Sequence, residues 1–312
     1  SKDRALQAID YPGSTAEAFA AAPCGPYPEQ VIEETVEDLA RFAEQLQRLG
    51  VEVHRPAGRD FREQQRGGEG PGWSVDGYYN YCPRDSITVI GERVIASPMV
   101  LRHRQRECEA LRPLFDPECW VDCPRPSLSD AMYDPHAEEG TTLLDVEPAF
   151  DAANLLRFGK DILFLISNTG NRRGAALLQE LLGPEYRVHL VADIYRDRHI
   201  DTTFLPLREG LLLANPARLT QDDIPTFLKD WEILWSPEMV PLPALDAWCP
   251  ASEWIGMNLL SLRPDLAAVE SNQLPLMRAL ERRGVDCLPV RLRHSRTLGG
   301  GPHCVSVDLR RG

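Results

Sequence analysis

The sequence predicts an α/β fold built from repeated supersecondary units. A hairpin, a helix and a strand recur in that order at intervals of roughly 50 residues, a period typical of repeated units around a common axis. Of the 312 residues, 43% are hydrophobic and 26% are charged, which is the composition of an ordinary globular protein. No glycine-rich or proline-rich linker separates the repeats. We therefore predict a single domain over residues 1–312.

The first predicted element is an amphipathic helix between Tyr27 and Gly50. Pro28 suits its first turn and Gly50 its end. Its apolar stripe consists of Val31, Ile32, Val36, Leu39, Phe42, Ala43 and Leu46. The segment VEVHRP (51–56) that follows predicts a strand.

Four later stretches repeat the same pattern. Hairpins, or the strands that open a unit, are predicted at 86–97, 161–167, 202–215 and 257–270. Helices are predicted at 101–115, 174–183, 221–231 and 274–284, and closing strands at 186–192, 232–237 and 285–292. The long loops are 57–81 and 113–148, and long loops on such a scaffold are where substrate contacts are expected.

Charge and cysteine content narrow the class of protein. The net charge is −13 and the basic residues are scattered, which argues against a nucleic-acid or membrane partner and favours small molecules. No segment has the length of a signal peptide core or a membrane span, so a cytoplasmic protein is expected. The eight cysteines predict reduced thiols. Cys119 and Cys123 do not form a CxxC pair, so we expect no metal and no cofactor.

The motif GGGPHC places Cys304 directly after three glycines. Glycines let the backbone approach a ligand closely, so Cys304 is a candidate nucleophile. A buried, inert thiol at a glycine-rich turn is the alternative, because cysteine is among the most buried residue types.

A nucleophilic cysteine needs a base and polar groups that hold the substrate. His199 and Asp201 stand two residues apart at the start of a predicted strand, and Asp85 and Asp151 each precede a strand. Taken singly, each has a structural explanation: the aspartates can cap turns, and the histidine can be a satisfied core residue.

Together these segments resemble one known family. The strings CPRD, FDAANLLRFG, HIDTTF, NPAR, SEWIGMNLL, HSRTLGGGPHC and DLRR occur in the order seen in the glycine amidinotransferase and inosamine-phosphate amidinotransferase family. The resemblance extends from Tyr27 to Arg311 and is strongest to the inosamine-phosphate branch of streptomycin-type biosynthesis. It implies the pentein α/β propeller: five ββαβ units in a pseudo-fivefold arrangement around a central active-site channel.

The resemblance also implies roles for individual residues. Cys304 falls on the nucleophile, His199 on the general acid/base and Asp151 on the carboxylate of the catalytic set. The arginine-binding positions are Asp85, Asp201, Arg218 and Ser252. Arg104, in the stretch MVLRHR, is the expected ligand of an acceptor phosphate, with Arg198 as a weaker candidate that strand alternation turns away from His199.

Three features depart from the family pattern. Pro302 stands where phenylalanine is usual, and Ala251 replaces the first of two serines, so the shape of the substrate pocket differs. The family's opening strand is missing, and we expect the first unit to be incomplete at the N-terminus.

The predicted function is transfer of the amidino group of L-arginine to a small primary amine, releasing ornithine. The acceptor implied is an aminocyclitol phosphate such as scyllo-inosamine 4-phosphate, with an amino acid such as glycine or lysine as the alternative. A guanidine hydrolase of the arginine-deiminase type and a catalytically silent binding module are the rival functions. The oligomeric state is left open, with a homodimer as the candidate assembly.

Overall fold

All sheets of the structure, a computed structural model, follow one three-stranded pattern. An antiparallel hairpin comes first, and a third strand then pairs in parallel with the second hairpin strand. The structure describes residues 4–21, 26–56, 80–244 and 251–310, and within those residues this pattern occurs four times. A parallel closing strand requires a crossover connection, so each sheet is a β-β-crossover-β unit.

The chain divides into two compact units. The first comprises Ser1–Gly25, Pro56–Ile200 and Val307–Gly312, and the second comprises Pro26–Arg55 and Asp201–Ser306. The predicted single domain over 1–312 stays a prediction.

The first compact unit holds two of the sheets. Its strands are β1 (Ile87–Ile90), β2 (Arg93–Ala96), β3 (Trp120–Asp122), β4 (Leu155–Phe158), β5 (Asp161–Leu165) and β6 (Arg187–Val191), and its helices are α1 (Arg4–Asp10), α2 (Ala16–Ala21) and α4 (Arg172–Leu182). Helix α4 crosses from β5 to β6, and its buried Leu178 and Leu182 pack against the sheet. Helix α1 packs through Ala5, Ala8 and Ile9 into a separate apolar cluster.

The second compact unit holds the other two sheets. Its strands are β7 (Phe204–Arg208), β8 (Leu211–Ala214), β9 (Glu232–Trp235), β10 (Leu260–Arg263), β11 (Leu266–Glu270) and β12 (Asp286–Val290), and its helices are α3 (Glu29–Arg48), α5 (Leu274–Glu281) and α6 (Ser295–Leu298). Helix α3 packs Phe42 and Leu46 against β10, β11 and β12. Helix α5 crosses from β11 to β12 over the core of this unit.

The predicted hairpins and the helices α3, α4 and α5 are confirmed, each within a few residues of its expected bounds. The predicted stripe of α3 was partly wrong, since Ile32 is 47% exposed and Val36 is 54% exposed, while Asp38 is buried. Asp38 is held inside by Arg293, which donates to it from both backbone and side chain.

Three other expectations need correction. Residues 51–56 form no strand, because within the described chain they have no ladder partner, and a strand requires one. The predicted helices over 101–115 and 221–231 are instead short 3-10 turns. Prolines at 113 and 225 lie within these stretches, and a proline in a helix interior removes a backbone donor and clashes with the preceding turn.

The predicted long loops have different outcomes. Residues 57–79 of the first lie outside the described residues. The second, 113–148, is ordered irregular structure that includes β3. No helix in the described portion of the chain is long and apolar enough to cross a lipid bilayer.

Candidate active site

His199 and Asp151 lie together in the first compact unit. The Nε2 atom of His199 is 3.1 Å from Oδ2 of Asp151, and the second Asp151 oxygen accepts from the backbone N–H of Val100 at 3.3 Å. Asp151 follows the buried Phe150, which fixes its backbone in the core. A buried carboxylate on one ring nitrogen orients the imidazole and stabilises its protonated form. The pair is therefore suited to proton transfer.

Asp85 lies at the start of the β1–β2 hairpin, beside the same histidine. Its Oδ2 accepts from NH1 of Arg104 at 2.9 Å, and its Oδ1 is 3.6 Å from Nδ1 of His199. Oδ1 is buried and has no hydrogen-bond partner in the described part of the chain. A buried carboxylate oxygen without a partner is costly, and it is a natural acceptor for an incoming cation.

Arg104 is buried between two carboxylates. Its Nε and NH2 donate to the two oxygens of Glu107 at 3.0 and 2.9 Å, and its NH1 donates to Asp85. Although burial opposes its charged form, Glu107 and Asp85 hold the pKa of Arg104 well above its ordinary value. Burial raises the pKa of Glu107, and the Arg104 guanidinium opposes that rise. These contacts engage Arg104 within the protein, and its role as a phosphate ligand stays a prediction.

The neighbouring arginines also have protein partners. Arg198 pairs with Asp10 of α1. Arg196 donates to the carbonyl of Gly140 at 3.0 Å. The sequence did not indicate the Arg198–Asp10 contact, because the two residues are 188 positions apart.

Cys304 lies in the second compact unit, buried within a small polar network. Its thiol donates to Oδ2 of Asp201 at 3.3 Å, and the side-chain amide of Asn258 donates to its sulfur at 3.0 Å. The same Asp201 oxygen accepts from Asn258 at 2.7 Å and lies 2.8 Å from Nδ1 of His303. A donor aimed at sulfur favours the thiolate, which is the nucleophilic form.

Asn258 also shapes the loop that carries the cysteine. Its Oδ1 accepts from the backbone N–H groups of Gly301 and Cys304, both at 3.0 Å. A Cβ added at Gly301 would lie 2.8 Å from the carbonyl oxygen of Asn258, so only glycine fits there. Gly299 adopts φ 73°, a left-handed conformation that ends helix α6. Gly299 and Gly301 of GGGPHC therefore serve backbone geometry.

Arg218 and Ser252 form a third contact set, also in the second compact unit. NH2 of Arg218 donates to Oγ of Ser252 at 2.6 Å, and NH1 donates to the hydroxyls of Thr202 and Thr203 at 2.8 and 2.7 Å. Ser252 additionally accepts from the backbone N–H of Trp254. These contacts with neutral hydroxyl groups hold the Arg218 guanidinium in position.

In the first unit the structure brings four predicted site residues into contact, namely Asp85, Arg104, Asp151 and His199. In the second unit Cys304 contacts Asp201, and Arg218 contacts Ser252. The sequence alone did not single out three further residues that contact this set, namely Glu107, Asn258 and His303. Asn258 lies inside the string SEWIGMNLL, and His303 is part of GGGPHC, so the motifs contained both signals. In the described residues, no group of three or more His, Cys, Asp or Glu side chains could hold a metal ion.

Comparison with known proteins identifies relatives of this chain. No family model matches the chain. An inosamine-phosphate amidinotransferase of Streptomyces glaucescens is 45% identical over 314 residues, covering 99% of this chain and 89% of that protein. An L-arginine:L-lysine amidinotransferase of Pseudomonas savastanoi pv. phaseolicola is 33% identical over 299 residues, covering 92% of this chain and 81% of that protein.

Solved structures give the same result. The inosamine-phosphate amidinotransferase of Streptomyces griseus matches with a TM-score of 0.93 at 43% identity, covering 99% of this chain and 89% of that chain. A dimethylarginine dimethylaminohydrolase matches with a TM-score of 0.53 at 16% identity over 72% of this chain and 76% of that chain, which shows the pentein-type fold alone.

Fold and relatives together define an enzyme that transfers amidino groups. The chain belongs to the family of inosamine-phosphate and glycine amidinotransferases.

Proposed function

We propose that the enzyme moves the amidino group of L-arginine to an aminocyclitol phosphate through an amidino-Cys304 intermediate. The observation that carries the proposal is the buried Cys304 thiol, held between the Asn258 amide and Asp201 in a glycine-shaped loop. Inert buried thiols are usually surrounded by apolar side chains, whereas the sulfur of Cys304 receives a hydrogen bond from Asn258, which favours the thiolate.

Arginine's guanidinium resists attack by water because it is planar, permanently charged and resonance-stabilised. In the proposed first step, the Cys304 thiolate attacks the central guanidinium carbon and forms a tetrahedral adduct. Asp85 and Asp201 accept from the N–H edges of the substrate and hold its carbon for attack. The positive guanidinium of Arg218 binds the substrate's carboxylate, with Ser252 fixing the Arg218 side chain.

Collapse of the adduct breaks the bond between Cζ and Nε of the substrate arginine, and Nε becomes the δ-amino nitrogen of ornithine. His199 protonates that nitrogen, since an amide anion is not a viable leaving group near neutral pH, and Asp151 stabilises the imidazolium before transfer. Ornithine leaves and the amidino group stays on sulfur. The acceptor amine then gives a proton to neutral His199 as it attacks the amidino carbon, and the Cys304 thiolate is restored.

The acceptor we favour is an aminocyclitol phosphate such as scyllo-inosamine 4-phosphate, in natural-product biosynthesis. Support comes from relatives named inosamine-phosphate amidinotransferases, at 45% and 43% identity. An amino acid such as lysine or glycine is the alternative, supported by the more distant L-arginine:L-lysine enzyme at 33%. Ping-pong kinetics follow from either acceptor.

The five-unit propeller with a central channel is part of the same proposal. The four described β-β-crossover-β units fit such a repeat. Helix α3, which has no closing strand of its own among the described residues, is our candidate for the remaining unit. A cytoplasmic location and a homodimeric assembly both stay predictions.

Intact-protein mass spectrometry after addition of L-arginine tests the intermediate. An amidino adduct that maps to Cys304 and disappears when an amine is added is the expected result. An unmodified Cys304 during turnover would overturn the mechanism. Product analysis separates the rival reactions: ornithine and a guanidinylated amine indicate transfer, whereas citrulline formed without added amine indicates hydrolysis.

A comparison of acceptors tests the second substrate. We expect scyllo-inosamine 4-phosphate to be guanidinylated faster than its unphosphorylated parent, glycine or lysine. Equal rates with and without the phosphate would exclude recognition of that group.

A further inference from the structure

Glu107 forms a buried connection to Asp85 through Arg104. Glu107 is fully buried, and both of its oxygens accept from the same edge of the Arg104 guanidinium. The third contact of that guanidinium, from NH1, is to Oδ2 of Asp85 at 2.9 Å. The three side chains therefore form one chain of charge-assisted hydrogen bonds inside the first compact unit.

The planarity of the Arg104 guanidinium determines the direction in which NH1 points. Two parallel bonds to Glu107 fix the plane of Arg104, and the plane fixes where NH1 points. NH1 consequently reaches a single oxygen of Asp85. An arginine without such a partner favours a two-bond fork on a carboxylate, which would occupy both oxygens of Asp85. The observed result is an engaged Oδ2 and an Oδ1 that is buried and without a hydrogen bond.

We propose that Glu107 and Arg104 are positioning residues that keep Oδ1 of Asp85 available for the guanidinium of L-arginine. The inference rests on the arginine-binding role of Asp85 in the proposed function. It assigns Glu107 an indirect role in substrate binding, because Glu107 contacts Arg104 and acts through it. It also gives Arg104 a role in donor binding, through Asp85.

The sequence offers a matched control pair, Arg106 and Glu109, two residues further on. Arg106 and Glu109 have the same three-residue spacing and the same two-bond geometry, with Nε–Oε1 at 2.6 Å and NH2–Oε2 at 3.0 Å. Their side chains are 16% and 18% exposed, and Glu109 also accepts from Arg125. Glu109 accepts from Arg106 and Arg125, so we expect its loss to change local stability and to leave the Arg104–Asp85 contact in place.

The test compares Glu107→Gln with Glu109→Gln in the full chain. An amide at 107 turns an N–H group toward NH2 of Arg104 and breaks the fork. We expect the KM for L-arginine to rise about tenfold or more in Glu107→Gln with a much smaller change in kcat, the pattern for lost ground-state binding. Glu109→Gln should keep the wild-type KM. Equal KM values in the two variants overturn the proposal, as does a rise confined to the KM of a phosphorylated acceptor.

A second variant covers the case in which Glu107→Gln does not fold. Arg104→Lys keeps a positive charge between Glu107 and Asp85, so neither buried carboxylate loses its charged partner, but it removes the planar fork that fixes the direction of NH1. L-Arginine binding by calorimetry should weaken at least tenfold in this variant. Wild-type affinity for L-arginine in this variant would refute the positioning role of Glu107 and Arg104. Weakened binding together with a wild-type enzyme that transfers no amidino group would refute the proposed function and leave the positioning role intact.

Discussion

The side chain of Asn258 holds Cys304 from two sides. Its Nδ2 donates to the cysteine sulfur at 3.0 Å, while its Oδ1 accepts from the cysteine backbone N–H at 3.0 Å. The amide orientation is fixed by this pairing, because only the nitrogen can donate to sulfur and only the oxygen can accept from the backbone. Asn258 thereby couples the position of the Cys304 sulfur to its ionisation.

Asn258→Asp tests this coupling with an almost isosteric change. The carboxylate keeps the backbone contact but replaces the donor with a negative charge beside sulfur and Asp201. A lost hydrogen bond to a charged group costs about 1.5–3 kcal/mol, so amidino-adduct formation should slow by about 10–100-fold. The pH midpoint for alkylation of Cys304 by iodoacetamide should also rise, since the new charge opposes the thiolate. Asn272→Asp, at the start of helix α5, is the control and should leave both rates unchanged.

The sequence predicted most of this architecture because its signals are local. Helix α5 and its flanking strands follow from periodicity over 257–292, and Cys304 from its glycines. The strand predicted at 51–56 failed since strand formation depends on a partner elsewhere in the chain. Asn258 and Glu107 were missed for a related reason. The sequence around an amide or a glutamate does not indicate a role, because that role depends on contacts that form only on folding. Asn258 contacts Cys304, and Glu107 contacts the Arg104–Asp85 pair.

Asp85→Asn should weaken arginine binding strongly. NH1 of Arg104 requires an acceptor, so the new amide will turn its oxygen toward Arg104 and its NH2 group toward the position of Oδ1. A donor then faces the substrate's own N–H groups. We expect the KM for arginine to rise by about 100-fold, with slower adduct formation at low arginine.

Asp130→Asn is the matched control for this prediction. Asp130 accepts from NH2 of Arg102 at 3.0 Å in a pair whose aspartate is largely exposed. Loss of that pair should have little effect on either stability or KM. An unchanged KM in Asp85→Asn would show that Asp85 only caps its turn.

Arg218→Lys should discriminate between arginine and its decarboxylated analogue, agmatine. Lysine keeps the charge but loses the planar fork that contacts Ser252, Thr202 and Thr203. If Arg218 binds the substrate carboxylate, the KM for arginine should rise by about 10–100-fold, while the KM for agmatine should change little. Parallel increases for both compounds would instead indicate a general distortion of the site.

Because Glu270 is buried, we expect the free energy of unfolding to fall as the pH rises through neutrality. Glu270 is buried at the end of β11, where Oε2 accepts from the backbone of Leu292 at 3.2 Å and Oε1 from that of Ser271 at 3.0 Å. Burial raises its pKa from 4.5 to about 7, against the effect of these hydrogen bonds, and the charge of Asp38 adds to the rise. The folded state therefore holds a proton that the unfolded state releases between these two pH values.

Because the folded state binds more protons in that window, the free energy of unfolding must fall as pH increases. The contribution is fully present below pH 4.5 and is lost as pH rises through about 7. A difference of about 2.5 pKa units corresponds to at most about 3 kcal/mol. Glu270→Gln cannot ionise, so urea unfolding at pH 5 and pH 8 should show a smaller decline in the variant than in the wild type. Glu281→Gln, an exposed change on α5, should retain the wild-type decline. Equal pH dependence in wild type and Glu270→Gln would mean that Glu270 is already ionised in the folded protein at pH 5.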